Sequence, residues 1–239
     1  MLYCNKLGVS GISTWENIRN GFDFTYLLSL LLGVIPSLLC INLHELSHGL
    51  VAWKLGDPTA KLAGRLTLNP LKHLDPMGLV MMLAFHVGWA KPVPVDMRYF
   101  KNPRRGMALT AFAGPASNVL IAIVFLFLYG LFYRPLSTNA TGLYFLRMID
   151  LTAVISLGLA IFNILPFPPL DGSKILFSFL SDEGYRLVLR YERYGSLLLF
   201  ALVWAGALGR PLSAAIDAVY DLLFPIAQGG FALSKILFH

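Results

Sequence analysis

Five consecutive residues, His44-Glu45-Leu46-Ser47-His48, carry the clearest chemistry in this sequence. Residues four apart share one face of an α-helix, so His44 and His48 can direct both imidazoles at a single metal ion. Glu45 lies one residue on, about 100° round the helix. It is close enough to act as a base on a water activated by that metal without being a ligand itself. Two ligands, a base and a Lewis-acidic metal are the parts of a hydrolytic centre. The setting is apolar: across Phe22–Trp53 the only other charged side chain is Asp23. Charged and ionisable groups inside a membrane span are costly and mark function. The bland alternative is a chance pattern, or two satisfied core histidines, and a zinc-site spacing inside a span argues against both.

The elements that position these groups must be membrane helices. The chain has 239 residues, of which 56% are hydrophobic and only 13% charged, with a mean hydropathy of +0.66. A soluble domain of this size carries about 25% charge, so the expected class is an all-α polytopic membrane protein with about four to five transmembrane helices. Residues 1–21, with Lys6, Trp15, Glu16 and Arg19, lack the apolar core of a cleavable signal peptide and read as an interfacial segment. Cys4 and Cys40 do not make a disulfide framework. The net charge of +6 is clustered beside the apolar runs, which fits orientation in a membrane better than nucleic-acid binding.

In chain order, the first span covers Phe22 to Trp53, is longer than the ~20 residues a bilayer needs, and contains Pro36 as an expected kink. Ala60 to Leu68 alternates apolar and polar residues, which predicts a short membrane-associated β element closed by Asn69-Pro70. Met77 to Ala90 is apolar but too short to span, and Lys72 and Lys91 flank it, so a re-entrant segment is expected. Pro92 to Val95 reads as an extended edge piece. The predicted strand could pair with an unwound peptide, or it could form a plain structural hairpin with Pro92–Val95. The second span, Met107 to Tyr133, opens with small residues that let helices approach closely. It also carries Asn118, which suits an interhelical hydrogen bond or a substrate contact. The third span, about Met148 to Leu180, is interrupted from Asn163 to Gly172 by Pro166, Pro168 and Pro169, and irregular backbone at that depth must line a cavity. Ser196 to Leu208 is a fourth apolar stretch, with a terminal membrane helix after it. The expected division is 1–21 interfacial, 22–180 core and 181–239 C-terminal helices.

Charge asymmetry gives an independent check on the site. Lys54 to Arg105 contains nine Lys and Arg, whereas Arg134 to Arg147 contains only those two. The first segment is therefore expected in the cytosol and the second outside. His44 precedes Lys54 by ten residues, which places it roughly 15 Å below that surface. Crossing back through the third span brings Asp171 to a similar depth, with Lys174 free to snorkel. Asp171 is then the best candidate for a third ligand, leaving one position open for water.

Three stretches, His44 to His48, Gly114-Pro115-Ala116-Ser117-Asn118, and Asn163 through Gly172, make the chain resemble the site-2 protease family of zinc intramembrane metalloproteases. The resemblance is to the small prokaryotic form without an inserted accessory domain, and it covers roughly Leu30 to Leu180. It implies one Zn2+ held by His44, His48 and Asp171, with Glu45 as the base. It also implies that Asn163 holds substrate or polarises the scissile carbonyl, and that Asn118 lies near the substrate path. The expected partners are a single-span membrane-protein substrate and the lipid bilayer, with no nucleic acid. The expected location is the cell membrane, multi-pass, with the active site open to the cytosol. A metal-ion transporter would need a ladder of polar ligands, and only His86 is visible beyond the site. A catalytically silent metal-binding protein would be expected to lack Glu45 or a ligand.

Overall fold

The computed structural model describes residues 24–73, 75, 78 and 91–238. The interfacial segment 1–21, the re-entrant segment 77–90 apart from Gly78, and His86 expected from the sequence lie outside the described residues. Helix α1, Phe24–Lys54, is mostly apolar outside its His44–His48 segment, and Pro36 sits inside it one residue before Ser37, whose hydroxyl donates back to the Gly33 carbonyl at 2.8 Å. The helix ends where Gly56 adopts a φ of +106°, a left-handed conformation that a β-carbon disfavours. Asp57 follows, fully buried.

Helix α3, Pro103–Leu136, is the element the others pack on. It starts at Asn102, whose side chain accepts from the Arg105 N–H, with Pro103 in the first turn. After a turn, α4 runs Ala140–Asn163 and begins with Asn139 accepting from the Gly142 N–H. Helix α5 is Asp171–Phe177, α6 is Asp182–Trp204 and α7 is Gly209–Leu237. A buried core joins Ala122 and Leu126 of α3, Ala153 and Leu157 of α4, and Ile216 and Ala227 of α7. The crossing of α3 and α7 is close because it is built on glycine: a β-carbon on Gly130 would run into the Ala227 carbonyl, and one on Gly230 into the Phe127 carbonyl.

Among the described residues, α1 from Leu32, α3 and α4 are each long and apolar enough to cross a membrane. The pair Leu197–Trp204 and Gly209–Leu237, bent by 86°, makes a fourth crossing if it is one broken span. The third span differs from expectation. It begins at Ala140 rather than Met148, because α3 continues to Leu136 and leaves only a short turn between the two helices.

The β element expected over Ala60–Leu68 is not present, and the described residues contain no strand. Helix α2, Thr59–Leu62, takes its place. Asp57 drives this outcome: its Oδ1 accepts from both the backbone N–H (2.9 Å) and the hydroxyl of Thr59, which starts a helical turn. Gly64, at φ +64°, ends it, and the Arg65 N–H reaches back to the Ala60 carbonyl at 2.9 Å. The alternation has no continuous buried face to serve: Ala60 is buried, but Leu62 is 82% and Leu68 64% exposed. Residues 91–96 have no regular secondary structure and pair with no strand among the described residues.

Candidate metal centre and active site

Helix α1 presents His44, Glu45 and His48 at the depth where α3 crosses it. His44 and His48 are both buried, and their rings stand edge to face with centroids 4.6 Å apart. Asp171 arrives from the other end of the chain. Pro166, Pro168 and Pro169 cannot continue α4, so the backbone leaves the helix at Asn163 and re-enters one at Asp171. Gly172 allows that re-entry, because a β-carbon there would meet the Ile164 and Leu165 carbonyls. The Asp171 Oδ2 lies 3.1 Å from Nε2 of His44 and 3.1 Å from Nε2 of His48. Its Oδ1 faces the Lys174 ammonium at 3.7 Å.

This donor set fits a metal ion. The three ligand atoms lie within 4.8 Å of one another, and two imidazoles with a carboxylate are a catalytic zinc combination. The hydrogen bonding supports the fit. His48 Nδ1–H donates to the Thr110 carbonyl at 2.7 Å, so the neutral ring presents a bare lone pair at Nε2. That nitrogen faces a carboxylate oxygen at 3.1 Å, a spacing that either a ring proton or a bound metal ion bridges. Helix α3 clears the space. A β-carbon on Gly114 would stand 2.5 Å from Cε1 and Nε2 of His48 and 2.6 Å from Cε1 of His44. Pro115 follows, and because it has no N–H it leaves the Ala111 carbonyl without its helical donor beside the site.

The site opens into a cavity of about 590 Å3, lined by Glu45, Asn163, Met107, Leu159, Pro92 and Val95 among others. Residues 91–96 form one wall and are tied at three points. The Lys91 N–H donates to the His73 carbonyl (2.8 Å), the Val93 N–H to Glu45 Oε2 (3.0 Å) and the Asp96 N–H to Asp57 Oδ2 (2.7 Å). At the end of this segment the hydrogen-bonded Arg98 guanidinium holds the Asp96 carboxyl below the ordinary carboxylate range. Asn163, the last residue of α4, lines the cavity while its amide donates to the Leu159 carbonyl at 2.9 Å. Asn118 does not line the cavity. It is fully buried one turn beyond Gly114 and contacts His44 Nδ1 at 3.1 Å, which is the interhelical alternative of its two expected roles.

Of the six candidates from the sequence, His44, Glu45, His48, Asp171 and Asn163 line this cavity, and Asn118 does not. Three contributors had no signal of their own: the Thr110 carbonyl, the Val93 N–H and buried Asp57. Two of these act through backbone atoms that any residue possesses.

Comparison with known proteins agrees with this geometry. The sequence model of peptidase family M50 matches residues 136–206. "Putative zinc metalloprotease YwhC" of Bacillus subtilis is 39% identical over 206 residues, covering 82% of this chain and 92% of its relative. The chain belongs to peptidase family M50. As an M50 peptidase, the site-2 protease family, it is a zinc metalloprotease and a membrane protein. Two further M50 relatives are similar. "Putative zinc metalloprotease Rip2" of Mycolicibacterium smegmatis is 31% identical over 205 residues, 84% of this chain and 77% of the relative. "Putative zinc metalloprotease MJ0611" of Methanocaldococcus jannaschii is 32% identical over 160 residues, 65% and 76% respectively. No solved structure matches the M50 chain significantly.

Proposed function

We propose that this M50 peptidase is an intramembrane endopeptidase that hydrolyses a peptide bond in or near the transmembrane segment of a single-span substrate. The observation that carries the reading is the convergence of His44, His48 and Asp171 with Glu45 on one cavity at helix depth. His44, His48 and Asp171 hold the zinc, which when bound supplies Lewis acidity to activate a water and polarise a carbonyl. Glu45 accepts the proton of the attacking water and delivers it to the leaving amine. The Val93 N–H fixes one carboxylate oxygen of Glu45 and leaves the other for proton transfer. Asn163, at the cavity wall, donates its second amide hydrogen to the scissile carbonyl as charge develops there. Water must enter from the aqueous side, because lipid cannot supply it. The basic segment between Lys54 and Arg105 supports a cytosolic opening in the cell membrane.

The test is incubation of the purified protein with a panel of single-span substrates beside Glu45→Gln. Cleavage should fall by about 10²–10⁴-fold in the variant, the usual contribution of a general base, with bound zinc unchanged. Retention of most activity by Glu45→Gln would remove the base from the mechanism.

A further inference from the structure

We propose that Asn118 is the positioning residue that makes His44 a metal ligand, its amide oxygen accepting a hydrogen bond from His44 Nδ1–H. The inference rests on zinc being held by His44, His48 and Asp171. Three residues one turn apart on α3, Thr110, Gly114 and Asn118, form the back of the metal site, since positions four apart share a helix face. The Thr110 carbonyl anchors His48 through Nδ1. Gly114 leaves room for both rings. Asn118 stands at the matching position for His44, with an amide atom 3.1 Å from Nδ1.

The amide decides which nitrogen of His44 is free. With Asn118 Nδ2 facing Nδ1, the ring keeps its proton on Nε2 and points it at the Asp171 carboxylate, 3.1 Å away. A ring in that tautomer cannot ligate through Nε2. The amide oxygen meanwhile is buried with no hydrogen-bond partner among the described residues. A half-turn of the near-symmetric amide exchanges the two atoms at almost no steric cost, with the amide nitrogen taking the unpartnered position. Oδ1 then accepts the proton of Nδ1, and Nε2 presents its lone pair between His48 and Asp171. The Asn118 backbone is held meanwhile, because the Ser156 hydroxyl on α4 donates to its carbonyl at 2.8 Å. An outer partner that fixes a ligating imidazole in this way typically changes metal affinity by about 10–100-fold.

The experiment measures zinc affinity by competition with a chromophoric chelator, and the His44 tautomer by 15N spectroscopy of the zinc-loaded protein. Asn118→Leu keeps the approximate size and removes the acceptor, and should bind zinc about 10–100-fold more weakly. Asn118→Asp keeps the acceptor and removes the donor, and should stay much closer to the parent. In the loaded parent, His44 should carry its proton on Nδ1. Parent-like affinity in Asn118→Leu, equal weakening in Asp and Leu, or an unprotonated Nδ1 would each overturn the proposal. The spectroscopic arm decides the matter should the leucine variant fail to fold. Asp171→Ala separates the two readings. If it keeps its zinc, the ligand set itself is wrong, whereas loss there with no effect of Asn118→Leu sinks only the role of Asn118.

Discussion

Gly114→Ala adds a single carbon at the point where α3 faces both imidazoles. An alanine in a helix is favoured over glycine by up to about 1 kcal/mol, so an open position would become more stable. At Gly114 the new carbon would lie 2.5 Å from two atoms of His48 and 2.6 Å from one of His44. Ordinary contact begins near 3.4 Å, so the rings or the helix must retreat by about 0.9 Å. Overpacking of this kind costs about 1–3 kcal/mol, which the propensity gain partly offsets, so the unfolding midpoint should move little. The site has no such compensation. A displacement near 1 Å at reacting groups costs roughly 100-fold in rate, or about 2.7 kcal/mol of transition-state stabilisation. We expect zinc content, measured by elemental analysis, and cleavage of a single-span substrate to fall together. Gly33→Ala on α1, where a β-carbon meets nothing within 4 Å, is the control and should leave both unchanged. Full zinc and parental turnover in Gly114→Ala would refute the cradle reasoning. Equal losses in Gly33→Ala would reduce it to a general helix effect.

Asp171→Ala should abolish zinc retention and cleavage together, and it is a cleaner test than Asp171→Asn because an amide oxygen still coordinates weakly; elemental analysis reads the outcome. Single cysteines from Asn102→Cys and Asn139→Cys, in a background lacking Cys4 and Cys40, should label from opposite sides of intact cells, since these residues cap opposite ends of α3 and the turn into α4. Labelling from one side would overturn the crossing order. Gly130→Leu should lower the thermal unfolding midpoint by disrupting the α3–α7 crossing, with the magnitude of a severe overpacking change, about 3 kcal/mol or more. Calorimetry in detergent checks it.

What the sequence made legible was whatever had a local period or a one-sided charge count. His44, Glu45 and His48 are readable because helix geometry alone puts two four-apart residues on one face. Asp171 was reachable only through topology, by counting crossings and comparing depths. The alternation over Ala60–Leu68 misled because period two means a strand only when a face is buried. Here Asp57, just upstream, imposes a helical turn through Thr59, and Leu62 and Leu68 stay exposed. The contact of Asn118 with His44, the clearance at Gly114 and the carbonyl at Thr110 depend on how two helices cross, which leaves no mark on either helix read alone. The start of α4 differs from the sequence expectation because Arg147 breaks the apolar pattern without breaking the helix, which begins at Ala140.

The separation of the ligands along the chain has a consequence for biosynthesis. His44 and His48 lie on the first described helix, 127 and 123 residues before Asp171. Until then the emerging polypeptide carries two imidazoles and Glu45 in an apolar setting, without the carboxylate that would close a metal site around them. The α3 surface that anchors both rings comes second, and the proline-broken turn that delivers Asp171 comes last. Any truncated or incompletely inserted chain therefore stops short of a complete ligand set. On the proposed ligand set, hydrolytic competence is acquired only once the turn after α4 has delivered Asp171, so a nascent chain that lacks it is not yet a protease.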